Sequence, residues 1–184
     1  MITGSLVIGI DPGVKSAVSL FHNGTFLAVE YVNPRNSLVW IDNVLKIHRI
    51  REKLTITVFI ERPYLPLDDD VENAKRKLVG EKYKKRQNIQ TLINQSQTIG
   101  RWRERLDESV IPITIREIYP NEWYCAVCRR PPSDKRPKRK EVSLFYASAV
   151  LEQKITDHNL ADALNIGQYG VGQVHIIKIK ESAK

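Results

Sequence analysis

Leu6-Val7-Ile8-Gly9-Ile10-Asp11-Pro12-Gly13 puts an aspartate where an apolar run stops and a tight turn begins. The apolar residues and glycine ahead of Asp11 predict a strand covered on both faces, and Pro12-Gly13 forces the chain to turn. Holding a charged carboxylate at the end of a buried strand is costly unless a cation or hydrogen-bond donors neutralise it. Taken alone, such an aspartate reads first as a turn cap bonding its own backbone. A second run of the same design changes that balance. Thr55 to Ile60 is rich in β-branched and aromatic residues and ends in Glu61-Arg62-Pro63-Tyr64, again an acid followed by a proline. If the two strands are parallel neighbours, both acids stand at their carboxyl ends, where open α/β sheets carry their ligand sites. A third acid lies in Leu160-Ala161-Asp162-Ala163-Leu164-Asn165-Ile166, a stretch whose composition favours a helix packed on the sheet. Converging carboxylates repel one another without a cation, and all-oxygen ligation suits Mg2+ or Mn2+ rather than zinc.

The 184 residues fit one domain, residues 1–184, long enough to bury a substantial core. Lys and Arg total 29 against 21 Asp and Glu, a formal net charge of +8, which points to a polyanionic partner. The basic residues cluster. Lys75, Arg76, Lys77, Lys82, Lys84, Lys85 and Arg86 form one run, and Arg129, Arg130, Lys135, Arg136, Lys138, Arg139 and Lys140 another. Either run alone reads as a solvated face; two runs beside a candidate metal centre read as phosphate contacts. No apolar stretch is long enough to span a bilayer, so the expectation is a soluble, cytoplasmic protein without a membrane partner or small-molecule cofactor. Cys125 and Cys128 form the one Cys-x-x-Cys of the chain and cannot complete a four-cysteine zinc site within a protomer; the plain expectation is two reduced thiols in a short loop or helix.

Along the chain, Ser16 to Phe21 and Thr25 to Val32 predict two strands joined at His22-Asn23-Gly24, giving an antiparallel meander of three. Ser37 to Lys53 carries helical periodicity and supplies the crossover to the Glu61 strand. Residues 68–87 are polar and aperiodic, expected as a loop or marginal helix overhanging the site. Asn88 to Leu106 predicts a helix, with Gly100 permitting close approach and Trp102 as an anchor of a dimer interface or, alternatively, of the protomer's own core. Val110 to Tyr119 alternates as a fifth strand ended by Pro120, Arg129 to Lys140 reads as a basic link, and helices are expected from Glu141 to Leu151 and around Asp162. The expected architecture is thus α/β: a five-stranded mixed sheet, its first three strands an antiparallel meander, with helices on both faces.

That order is that of the ribonuclease-H-like fold. Gly9-Ile10-Asp11-Pro12-Gly13, Ile60-Glu61-Arg62-Pro63-Tyr64 and Ala161-Asp162-Ala163-Leu164 resemble, in order and separation, the three acidic motifs of the RuvC-type Holliday junction resolvases. The resemblance spans nearly the whole chain and implies a homodimeric, Mg2+-dependent endonuclease making paired, symmetric cuts in four-way DNA junctions. It departs from the pattern at one place. The family carries a further acid, or a histidine, about one turn before the last aspartate, and here His158 and Asn159 hold those positions with Asp157 one residue further back. On a regular helix His158 shares the face of Asp162. Asp157 is the chemical alternative, and a plain helix N-cap is a third reading of it.

What the resemblance implies is hydrolysis at two metal ions about 3.5–4 Å apart, with Asp11 bridging, Glu61 on one ion, and Asp162 with Asp157 or His158 on the other. Lys135, Lys138 and Lys140 are candidates for the scissile phosphate, with Lys138 placed among the catalytic residues. Tyr64 falls where the resemblance places an aromatic that stacks on a base at the junction centre, a contact worth about 1–3 kcal/mol; the plain alternative is a tyrosine packing a strand end. Another ribonuclease-H-like nuclease, acting on flaps, other branched DNA or RNA–DNA hybrids, and an architectural junction binder with a degraded site are the competing functions. A two-lobed actin-like ATPase needs a longer chain and a second Asp-Gly motif in its later half.

Overall fold

The computed structural model describes residues 4–63, 89–131 and 135–182. Strands β1 (Gly4–Asp11), β2 (Ala17–His22) and β3 (Thr25–Tyr31) form the antiparallel meander, and β4 (Leu54–Glu61) and β5 (Ile113–Ile118) complete a five-stranded sheet of order β3-β2-β1-β4-β5. β4 lies parallel to β1, and β5 parallel to β4. The Asn23-Gly24 turn takes positive φ at both residues, as a two-residue hairpin requires. Helix α1 (Ser37–Ile47) connects β3 to β4, and α2 (Ile89–Asp107) precedes β5. Then come α3 (Pro120–Cys128), α4 (Arg136–Leu151) and α5 (His158–Ser182).

Strand alternation sorts the core into two layers. Leu6, Ile8 and Ile10 of β1 and Ile56, Val58 and Ile60 of β4 face α1 and α2. Val7 and Phe59 face the other way, against α3, α4 and α5. Asp11 and Glu61 continue this second register, and Ile10 pairs with Ile60, so the two acids end neighbouring strands on the α5 side.

α5 lies unusually close to the sheet. A Cβ at Gly9 would press on the backbone of Gly167 and come within 2.6 Å of the Ala163 carbonyl, so glycine is needed at the crossing. The Ser19 hydroxyl bonds that same carbonyl at 2.7 Å, pinning the helix across β1 and β2 just after Asp162.

Several boundaries differ from expectation. α1 stops at Ile47 rather than Lys53, ending before Arg49, which takes positive φ. β5 is shorter than 110–119, and Val110 is fully exposed. Pro120 ends β5 but also opens α3, a helix the sequence reading missed; the Glu122 carboxylate caps its first turn by accepting the Tyr119 N–H at 2.8 Å. The basic link is helical from Arg136, since Pro137 falls in the first turn, where its missing N–H costs nothing. Trp102 is 1% exposed, faces the α1-side core and donates its indole N–H to Ser16 Oγ at 3.0 Å. It therefore serves the protomer's own core and cannot anchor a dimer.

Candidate active site

β1 and β4 carry Asp11 and Glu61 to one end of the sheet, and the second turn of α5 brings Asp162 over them. All three carboxyls are held above their ordinary range. Burial and then the charges of Asp162 and Asp157 push Asp11 up to about 7, with Lys140 opposing. Burial, followed by Asp11 and Asp162, lifts Glu61 well above its usual value. Burial likewise raises Asp162 to about 6, against the Ser143 hydroxyl, His158 and Lys140. Mutual elevation of this kind marks acids close enough to feel each other in a poorly solvated place.

Neutral donors orient two of the acids. The Trp123 indole N–H of α3 donates to Glu61 Oε2 at 2.6 Å. Ser143 of α4 bonds Asp162 Oδ1 and is itself held by Asn165 Nδ2 at 2.9 Å. In each of these two acids one oxygen is fixed by a neutral donor. An all-carboxylate set of raised pKa fits Mg2+ or Mn2+ by its chemistry. Among the described residues, however, no three His, Cys, Asp or Glu side chains already converge as a metal cage, so a bound cation would have to draw the acids together.

Asp157 is the N-cap of α5. Its Oδ1 accepts the backbone N–H groups of Asn159 at 2.9 Å and Leu160 at 3.2 Å, and the Tyr31 hydroxyl of β3 donates to its carboxylate at 2.8 Å. Burial acts to raise this carboxyl, but the Tyr31 and backbone bonds hold it below the ordinary range. His158 opens the helix four residues before Asp162, and among the described residues its buried Nδ1 has no hydrogen-bond partner. Asp157 thus has a structural task whatever else it does, while His158 has an idle ring nitrogen.

The basic candidates separate. Lys140 is half-buried and its charge acts on Asp11 and Asp162, whereas Lys135 and Lys138 are exposed at the start of α4. Arg139 acts on Glu61, donates to Asn121 Oδ1 at 2.7 Å and stands 5.0 Å from the centroid of the Tyr124 ring. Arg129 and Arg130 follow α3, and Arg136 opens α4. Tyr64, Lys75, Arg76, Lys77, Lys82, Lys84, Lys85 and Arg86 lie outside the described residues. Cys125 and Cys128 are free thiols on α3, and burial, then Asp162 and Cys125, pushes the thiol of Cys128 up to about 12.

Sequence reasoning missed Trp123, Ser143 and Tyr31. For Trp123 a signal existed, because Pro120 with Glu122 spells a helix start that the strand ending at Tyr119 concealed.

No protein-family model matches the chain, and no curated protein matches its sequence. Solved structures do. The chain is similar to Thermus thermophilus RuvC at 18% identity, covering 93% of this chain and 96% of that one with a TM-score of 0.53. It is equally similar to T. thermophilus RuvC in complex with a Holliday junction substrate, at 18% identity, 93% and 95% coverage and a TM-score of 0.54. The likeness shows a ribonuclease-H-like α/β fold of the kind seen in RuvC.

Proposed function

We propose that this chain is a divalent-metal-dependent endonuclease that cuts four-way DNA junctions as a homodimer. The observation that carries the reading is the placement of Asp11 and Glu61 at the ends of adjacent parallel strands, on one face, beneath Asp162. The RuvC-like fold and the net charge of +8 support it. Bound by these acids, two Mg2+ or Mn2+ ions would supply Lewis acidity for activating water and for the departing 3′-oxygen. Asp11, whose charge acts on Glu61 and which itself feels Asp162, would hold metal together with both. Glu61, held by Trp123, and Asp162, held by Ser143, each present one oriented oxygen. His158 or Asp157 completes the Asp162 side. Lys140 balances the acid charge and is the best-placed cation for the scissile phosphate. Two equivalent strands of a four-way junction call for two matching sites, which a two-fold dimer provides.

The test is a panel of a mobile four-way junction, a flap and an RNA–DNA hybrid, cut in Mg2+ by the parent and by Asp11→Asn. Paired symmetric cuts in the junction, lost in Asp11→Asn while binding persists, are expected. Preference for the flap or hybrid moves the substrate to another branch of the fold. Tight junction binding with no cutting of any substrate makes the protein architectural, and undiminished cutting by Asp11→Asn overturns the site.

A further inference from the structure

Across the sheet from α5, an open cleft of about 740 Å³ is walled by the β1–β2 turn, the turn after β3 and the last turns of α2. Its cationic side chains come from all three walls: Lys15, Arg35, and Arg101 with Arg105. Glu108 pairs with Arg105, and Glu104 is the other acid of the lining. Lys15, Arg35 and Arg101 are exposed, and among the described residues none of them is ion-paired to a carboxylate. The cleft opens at the same end of the sheet as the acids. Asp11 pairs with Ala17, and Ala17 with Tyr31; Tyr31 lines the cleft while its hydroxyl donates to Asp157 at 2.8 Å. Tyr31 therefore touches both the cleft and Asp157.

We propose that this cleft is a track for a nucleic-acid phosphodiester backbone running from the acid site over Tyr31, held by Lys15, Arg35 and Arg101. The proposal extends the nuclease reading to a surface outside both basic runs of the sequence. Cations spread over three separate elements suit successive phosphates along a strand, where a single small anion would need donors converging on one point.

The test is a triple variant, Lys15→Gln, Arg35→Gln and Arg101→Gln, compared with the parent and with a charge-keeping Lys15→Arg, Arg35→Lys, Arg101→Lys form. Binding of a fluorescent four-way junction and a linear duplex is measured in EDTA across a KCl series. The Gln variant should bind about tenfold more weakly or worse, with a log Kd against log salt slope shallower by up to about three, because fewer counterions are released. The charge-keeping form should bind like the parent. Unchanged affinity and slope overturn the track, as does equal weakening in the charge-keeping form. A parent that binds with the expected salt dependence but cuts nothing removes the nuclease reading and leaves the track standing.

Discussion

Asp157 shows how one side chain can hold two jobs that only substitution separates. As N-cap it stabilises α5 through two backbone N–H groups, and its loss to Ala should cost about 1 kcal/mol, read as a lowered urea midpoint. Asp157→Ser keeps a capping oxygen and should restore that midpoint. If Ser also restores cutting, the carboxylate is a cap and His158 serves beside Asp162; if cutting stays low, Asp157 contributes charge to the site. Trp123 offers a cleaner case. Trp123→Phe keeps an aromatic ring but removes the donor to Glu61 Oε2, a bond to an acid worth about 1.5–3 kcal/mol, so cutting should fall roughly ten- to a hundredfold with little change in duplex affinity. The raised carboxyls also set the pH response of the metal-free protein. Asp11 and Asp162 titrate near 7 and 6 when folded, against an ordinary value of 3.8, so the folded state holds their protons more tightly. Their stabilising contribution is complete below about pH 4 and is lost as pH rises through 6 to 7. In EDTA the urea midpoint should therefore decline across that window, and Asp11→Asn should flatten the decline by about 1–3 kcal/mol. Mg2+ should restore the parent at pH 7.5 and do little for Asp11→Asn; a flat parent profile in EDTA would contradict the elevation.

Which elements were legible in the sequence follows from where their signals sit. β1, β2, β3 and β4 announce themselves locally, through continuous apolar runs and the Asn23-Gly24 turn, and the three acids could be read because each ends or interrupts such a run. α3 was hidden because Pro120 signals both a strand stop and a helix start, and the alternation up to Tyr119 favoured the first meaning. The start of α4 was hidden by its own charge, since Arg136-Pro137-Lys138-Arg139-Lys140 lacks an apolar face that would reveal its period. The donors Ser143 and Tyr31 were illegible for another reason. Their partners Asp162 and Asp157 are distant in sequence, and nothing local distinguishes a serine or tyrosine that will meet an acid. The crossing of α5 over β1 is likewise a long-range fact, set by Gly9 against Gly167. Gly9→Ala should therefore act on the whole element, because its Cβ meets backbone that cannot rotate away. A loss of about 1–3 kcal/mol or more in urea unfolding is expected. Cutting should drop along with it as Asp162 is displaced, whereas Gly172→Ala, with open space around it, should leave both unchanged.

At the scale of the molecule, the surface of α2 decides whether the proposed dimer is built as expected. Its inner face is consumed by the protomer, with Ile99, Trp102 and Leu106 in the core, so a partner must use what points outward. There Ile93 is 43% exposed, and a Cβ at Gly100 would meet nothing within 4 Å. Ser96, Gly100 and Arg103 line a hollow of about 280 Å³ with Arg62 and Pro63, directly beyond Glu61. A second copy seated on that hollow would lie close to the end of β4, which ties assembly to the acid site and to paired cutting. Gly100→Arg tests this without disturbing the fold. In an open helical position the exchange should stabilise the protomer by up to about 1 kcal/mol through helix propensity, while the long cation blocks close approach of a second α2. Sedimentation should show the parent as a dimer and Gly100→Arg as a monomer of higher melting temperature. On a supercoiled plasmid bearing a cruciform, the monomer should leave nicked circles where the parent gives linear product, since two cuts must fall within the life of one complex. If Gly100→Arg still sediments as a dimer and still linearises the plasmid, the second copy sits elsewhere and the outward face of α2 has no part in assembly.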